Sequence, residues 1–217
     1  MPLKFHTGGS LRRWLGARFG GDFDLGDRVY RRLLHGIGAA ILFYYVLPSH
    51  LIGWFTPADL LLLGLALVLV LEALRWTVGV ELPTIREYER KRIASYTFYA
   101  VALVAAVLLF PRPVVFVVVL GTALVDPLIG ELRLSDRWRG TYPWFPGVVY
   151  VLLGTTALLL GSHWPAFAAV TFSGIAAVVA LAAERPKFPA VDDDLAMTLA
   201  PAVVLLLLLH FAPGVFP

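Results

Sequence analysis

Seven stretches of this chain run almost free of charge, separated by short polar segments in which arginine recurs. Their approximate limits are Leu33–Phe55, Leu60–Trp76, Tyr96–Phe110, Val114–Ile129, Trp144–Leu160, Trp164–Ala183 and Leu195–Phe211. A helix that crosses a hydrocarbon core needs ~20 residues, so each run is of spanning length or near it. Pro111-Arg112-Pro113 is all that separates the third run from the fourth, and it reads as a helix stop and restart. The pattern predicts an all-α fold, a polytopic membrane bundle of about seven transmembrane helices.

The cations sharpen this into a topology. Lys4, Arg12, Arg13, Arg18, Arg28, Arg31 and Arg32 precede the first run. Arg75, Arg86, Arg90, Lys91 and Arg92 end or follow the second, Arg133, Arg137 and Arg139 follow the fourth, and Arg185 and Lys187 follow the sixth. Of the 18 Lys and Arg residues only Arg112 falls in an alternate loop. The positive-inside rule then sets the N-terminus in the cytoplasm and the C-terminus outside.

Composition agrees. Apolar residues make up 59% of the 217 and charged residues 15%, which on a soluble domain would leave large apolar patches in water. A single membrane domain over residues 33–217 is expected, preceded by an arm over residues 1–32. In that arm Ser10 can cap a helix whose Leu11, Trp14 and Leu15 share a face while Arg12, Arg13 and Arg18 reach for head groups. Gly20-Gly21 ends that interfacial helix. The first apolar run begins about thirty residues in, too late for a cleavable signal peptide. The net charge of +3 has no soluble basic surface to sit on, which argues against nucleic acid as a partner. With no cysteine, disulfides, thiolate catalysis and zinc–thiolate sites are excluded.

Ionisable groups in or beside a span need a reason, and four clusters stand at the cytoplasmic ends. Arg32 and His35 share a helix face, either as flanking residues or facing a phosphate. Glu72 and Arg75, also three apart, form a structural ion pair or order a substrate or metal site. Asp126 precedes Pro127, which frees the carbonyl of Ala123, and Glu131 and Arg133 follow. A carboxylate beside a broken helix is a cation site or the mark of a kink. Asp192, Asp193 and Asp194 precede the last run; one can cap the helix, but three adjacent like charges call for a cation. A divalent ion held by carboxylates, waters and phosphate oxygens supplies it, with Arg185 and Lys187 as the other source. Carboxylates and arginines on one membrane face suit phosphoryl or nucleotidyl transfer, whose catalysis is mainly positioning and charge neutralisation.

These residues resemble the CTP-dependent polyprenol kinase family: dolichol kinases, phytol kinases and CTP-using diacylglycerol kinases, related to phosphatidate cytidylyltransferases. Arg31-Arg32-Leu33-Leu34-His35 is similar to that family's Arg-Lys-x-x-His lead into a first span, and Glu72-Ala73-Leu74-Arg75 to its Glu/Asp-x-x-Arg segment. Asp126-Pro127-Leu128-Ile129-Gly130-Glu131 is similar to Gly-Asp-x-x-Ala-x-x-x-Gly-Arg. Glu184 followed by Asp192-Asp193-Asp194-Leu195 resembles a late Glu and an Asp-Asp-Asn-Leu motif. The chain departs from the pattern at Arg139–Gly147, where a lysine is missing and Arg139 and Thr141 are the available substitutes. It also has Asp194 for Asn, and Glu131 near the usual Arg.

The resemblance implies an integral membrane lipid kinase that moves the γ-phosphate of CTP to a polyprenol-type or other lipid alcohol at the cytoplasmic face. Mg²⁺ would be held by Asp126, Asp192, Asp193 and Asp194. Asp126, His35 and Asp193 would be catalytic, with His35 or an aspartate taking the hydroxyl proton. Arg32, Glu72, Arg75, Glu131, Arg133, Arg139 and Thr141 would line the substrate and phosphate site. The partners implied are membrane lipids, the lipid alcohol and the nucleoside triphosphate. The membrane would be a prokaryotic plasma membrane or one of endoplasmic-reticulum type. Two other readings use the same features: a transporter or scaffold that kept the fold without the nucleotide site, and a lipid nucleotidyltransferase. A transporter would place its ionisable groups near mid-membrane, whereas here they crowd one boundary.

Overall fold

In a computed structural model the described residues are 32–79, 92–184 and 192–216. The N-terminal arm and the cationic segments holding Arg86, Arg90, Lys91, Arg185 and Lys187 lie outside them. The described chain is all-helical. It has α1 (Pro57–Val78), α2 (Ser95–Leu109), α3 (Arg112–Leu134), α4 (Trp144–Ser162), α5 (Ala166–Ala183) and α6 (Asp193–Phe211). All but α2 are long and apolar enough to cross a membrane, and α2 is apolar but has 15 residues. Among the described residues no strand forms, and one isolated bridge joins Ile52 and Phe55.

Local chemistry sets the helix ends. Thr56 and Asp59 close a capping box around Pro57: the Asp59 amide donates to Thr56 Oγ1 at 3.2 Å and the Thr56 amide to Asp59 Oδ2 at 2.8 Å. Gly79 ends α1 in the left-handed region, φ 75°. The stop and restart expected at Pro111-Arg112-Pro113 is present: α2 closes at Phe110, and Pro111 is the N-cap of α3.

Residues 33–55 depart from one continuous helix. Residues 32–38 are α-helical, Ala39–Tyr45 tighten into a 3₁₀-helix, and turns then run to Thr56. The reasons are local. Gly36 and Gly38 weaken the α-helix, and Pro48 and Gly53 (φ 59°) favour turns. This lead-in segment lies against α3 and α2, and no residue of Ala39–Tyr45 is fully buried.

Helix α3 is the axis of the bundle. It packs against α4 and α6, and 56% of its most apolar stretch is buried, against 11% for α1, which rests mainly on α2. The outer face of α1 exposes Leu60, Leu63, Leu67, Val70, Leu71 and Leu74, a surface suited to acyl chains and not to water. Close approach inside depends on small residues. Gly121 of α3 receives the Tyr150 ring, where an added Cβ would stand 2.1 Å from the ring carbons. Ala169, Ala176 and Ala180 give α5 a flat buried face.

Candidate metal centre

Two helices and the lead-in segment bring His35, Asp126 and Asp194 together at one end of the bundle, where α1, α3 and α5 finish and α2 and α6 begin. His35 comes from the lead-in, Asp126 from the last third of α3 and Asp194 from the first turn of α6. One ligand atom from each lies within 4.8 Å of the other two. His35 Nδ1 is 3.7 Å from Asp126 Oδ2, and His35 Nε2 is 3.8 Å from Asp194 Oδ2. The Asp194 side chain is almost entirely buried, 6% exposed, while those of His35 and Asp126 are 18% and 24% exposed. The centre is thus closed on the α6 side and open on the Asp126 side.

The surroundings fix each donor. The imidazole stacks on Tyr99 of α2, ring centroids 4.5 Å apart and 30° from parallel. The Tyr99 hydroxyl donates to the His35 carbonyl at 2.8 Å. Gly38 allows this approach, since a Cβ there would sit 2.1 Å from Tyr99 Oη. On α6 the Thr198 hydroxyl donates to the Asp194 carbonyl, 2.8 Å, and lies 3.0 Å from Thr122 Oγ1. Asp126 and Thr122 are four apart on α3, as are Asp194 and Thr198 on α6. The two helices therefore face each other with a polar stripe one turn deep.

The aspartate run divides its work. Asp192 is the N-cap of α6, accepting from the Asp194 amide at 3.3 Å. It also accepts from Ser95 Oγ at 2.9 Å and Arg92 Nη2 at 3.4 Å, tying the starts of α2 and α6 together. Asp194 turns to His35, and Asp193 is half-buried outside the three-residue cluster.

The other expected residues settle into ion pairs. Glu72 and Arg75 are both buried. Glu72 accepts from Arg75 Nε (2.9 Å) and Nη2 (2.5 Å), Trp76 Nε1 (3.0 Å), the Ala94 amide (3.2 Å) and Tyr96 Oη (2.6 Å). Arg75 Nη2 also donates to the Arg92 carbonyl at 2.6 Å. The pair locks the end of α1 to the start of α2. Arg133 grips the buried Glu184 with both terminal nitrogens, Nη2 to Oε2 at 2.5 Å. Its guanidinium lies 4.7 Å over the Tyr142 ring, whose hydroxyl donates to Glu184 at 2.9 Å. Arg32, three positions before His35, pairs with Glu131. Arg139 and Thr141 lie on an exposed 3₁₀ turn: Arg139 reaches Asp136 at 3.5 Å, and the Thr141 hydroxyl donates to the Trp138 carbonyl at 2.7 Å.

Sequence reasoning did not single out Tyr99, Thr122, Thr198, Ser95, Tyr96 or Tyr142. The i, i+4 spacing of Thr122 with Asp126 and of Asp194 with Thr198 was a usable signal for two of them. The rest depend on contacts between distant segments. No family model, no curated protein and no solved structure matches this chain.

Proposed function

We propose that this chain is a membrane-embedded lipid phosphotransferase. It moves the γ-phosphate of a nucleoside triphosphate, CTP in the first instance, to the hydroxyl of a polyprenol-type or other lipid alcohol. The observation that carries this reading is the convergence of His35, Asp126 and Asp194, from three separate elements, at one end of an apolar bundle. A polar, metal-competent centre there meets a lipid head group and a soluble nucleotide together. Arg32 and Arg133 stand at the same end with partly exposed side chains, and Arg139 is more exposed still. They supply the charge that a polyphosphate needs.

In this reading the lipid oxygen attacks the γ-phosphorus, the bond from that phosphorus to the β–γ bridging oxygen breaks, and the nucleoside diphosphate leaves with the electron pair. The hydroxyl proton passes to Asp126, the more open carboxylate of the cluster. Mg²⁺ travels with the nucleotide as part of the substrate. The same reading gives seven crossings, with the N-terminus and the cluster on the cytoplasmic side and the C-terminus outside.

The test is transfer from γ-labelled CTP, and in parallel ATP, to a mixed extract of lipid alcohols by purified protein in detergent. Label in the lipid fraction that falls about a hundredfold or more with Asp126→Asn supports the kinase. Pyrophosphate release, with the nucleotide's α-phosphate on the lipid, moves the reading to nucleotidyl transfer. Folded protein that labels no lipid with either donor defeats the proposal.

A further inference from the structure

We infer that the His35–Asp126–Asp194 centre takes a first-row transition ion, of the Zn²⁺ or Mn²⁺ kind, in preference to Mg²⁺. The inference rests on reading this cluster as a metal centre and concerns the ion it holds in residence.

Four carboxylates at this end of the bundle are buried: Glu72, Glu184, Asp192 and Asp194. Arg75, Arg133 and Arg92 donate to the first three in that order. Asp194 has no such partner. Among the described residues the only basic group within 4 Å of it is the His35 imidazole, at 3.8 Å, longer than a hydrogen bond. A buried carboxylate must either take up a proton or hold a cation close, and three potential donor atoms converge here within 4.8 Å. Two donors on one ion at about 2.1 Å stand about 3 to 4.2 Å apart. Whichever imidazole nitrogen binds, one histidine–aspartate distance, 3.7 Å at Nδ1 or 3.8 Å at Nε2, falls in that interval, and the third donor lies within 4.8 Å.

The chemistry of the donors then selects the ion. Mg²⁺ favours oxygen ligands in near-ideal octahedral geometry and keeps most of its waters. An imidazole stacked between two carboxylates offers it little. Zn²⁺, Mn²⁺, Fe²⁺ and Co²⁺ accept nitrogen and carboxylate oxygen together. Three protein donors leave positions open for water or substrate, as in catalytic and not structural sites. Tyr99 and Gly38 hold the ring in place from outside the coordination shell, so Tyr99 is a positioning residue.

The test uses the full chain in detergent, stripped with a chelator and titrated calorimetrically with Zn²⁺, Mn²⁺ and Mg²⁺. Zn²⁺ and Mn²⁺ are expected to bind at one equivalent, about tenfold or more tighter than Mg²⁺. Co²⁺ is expected to give ligand-field absorption that changes in His35→Gln. His35→Asp, which replaces the nitrogen with oxygen, should still bind an ion but narrow or reverse the Zn²⁺/Mg²⁺ ratio. Tyr99→Phe should weaken Zn²⁺ about tenfold while keeping the preference. Mg²⁺ binding as tightly as Mn²⁺, no binding of any ion, or a preference untouched by His35→Asp overturns the inference. Its failure is separable from failure of the kinase reading. Lipid labelling with Mg²⁺–CTP by protein that holds no transition ion leaves the kinase standing without this ion. A His35-dependent Co²⁺ spectrum with no labelled lipid leaves the ion standing without the kinase.

Discussion

Glu72 and Asp194 are both buried carboxylates at the same end of the same bundle, yet their surroundings are opposite. Glu72 is saturated: five donors from α1, α2 and the residue preceding α2 occupy its two oxygens. Asp194 faces another acceptor-bearing residue, Asp126, across an imidazole. The first arrangement is complete without a ligand and joins two helices. The second crowds two carboxylates around one imidazole, an arrangement that favours a proton or a cation among them. Burial of a charged residue in a membrane protein is therefore not itself a sign of function. The donor supply around it separates a joint from a site.

Breaking the saturated region should cost the most. Glu72→Ala leaves the Arg75 guanidinium buried without its counter-charge. It should destabilise the protein by about 3 to 5 kcal/mol, read as a fall in the thermal midpoint in detergent. Arg133→Ala does the same to Glu184, which keeps only the Tyr142 hydroxyl. Because the Arg133 side chain is 40% exposed, the loss should be nearer about 2 kcal/mol. Thr198→Val removes the hydroxyl that reaches the Asp194 carbonyl and Thr122, and should cost about 1 kcal/mol by the same melt. Asp194→Asn should have the smallest effect, within about 0.5 kcal/mol in chelator, because it relieves charge crowding at little change in shape. The comparison then sharpens on adding Zn²⁺. At a hundred times its dissociation constant the unaltered protein should gain about 2.7 kcal/mol, and Asp194→Asn should gain little. An Asp194→Asn protein as crippled as Glu72→Ala would place both carboxylates in the structural class.

The helices were legible because apolar run length and proline placement are local properties. The limits of α2 to α6 fall close to the expected runs, and the Pro111 restart lies where two prolines flank one arginine. Residues 33–55 were less legible. Hydropathy counts apolar residues without weighing the backbone freedom of Gly36, Gly38 and Gly53, so a broken segment reads like a continuous helix. At the site, His35, Asp126 and Asp194 could be picked out one by one as costly residues at span ends. That Asp192 would cap α6 and bind Ser95, while its neighbour Asp194 turned to His35, depends on how the helices pack. Arg133 and Glu184 are 51 positions apart, and neither names the other in the sequence.

The three residues of the candidate metal centre sit at positions 35, 126 and 194, so they leave the ribosome in that order, well separated in time. The cluster is not complete until α6 stands beside the first described segment. A chain arrested after α5 has two donors and no third. An ion bound there would close a loop from residue 35 to residue 194. Because the ion would bind only the assembled site, it would stabilise that assembly by mass action. In biogenesis, metal capture would report that the segments from residue 35 to α6 have been threaded and assembled.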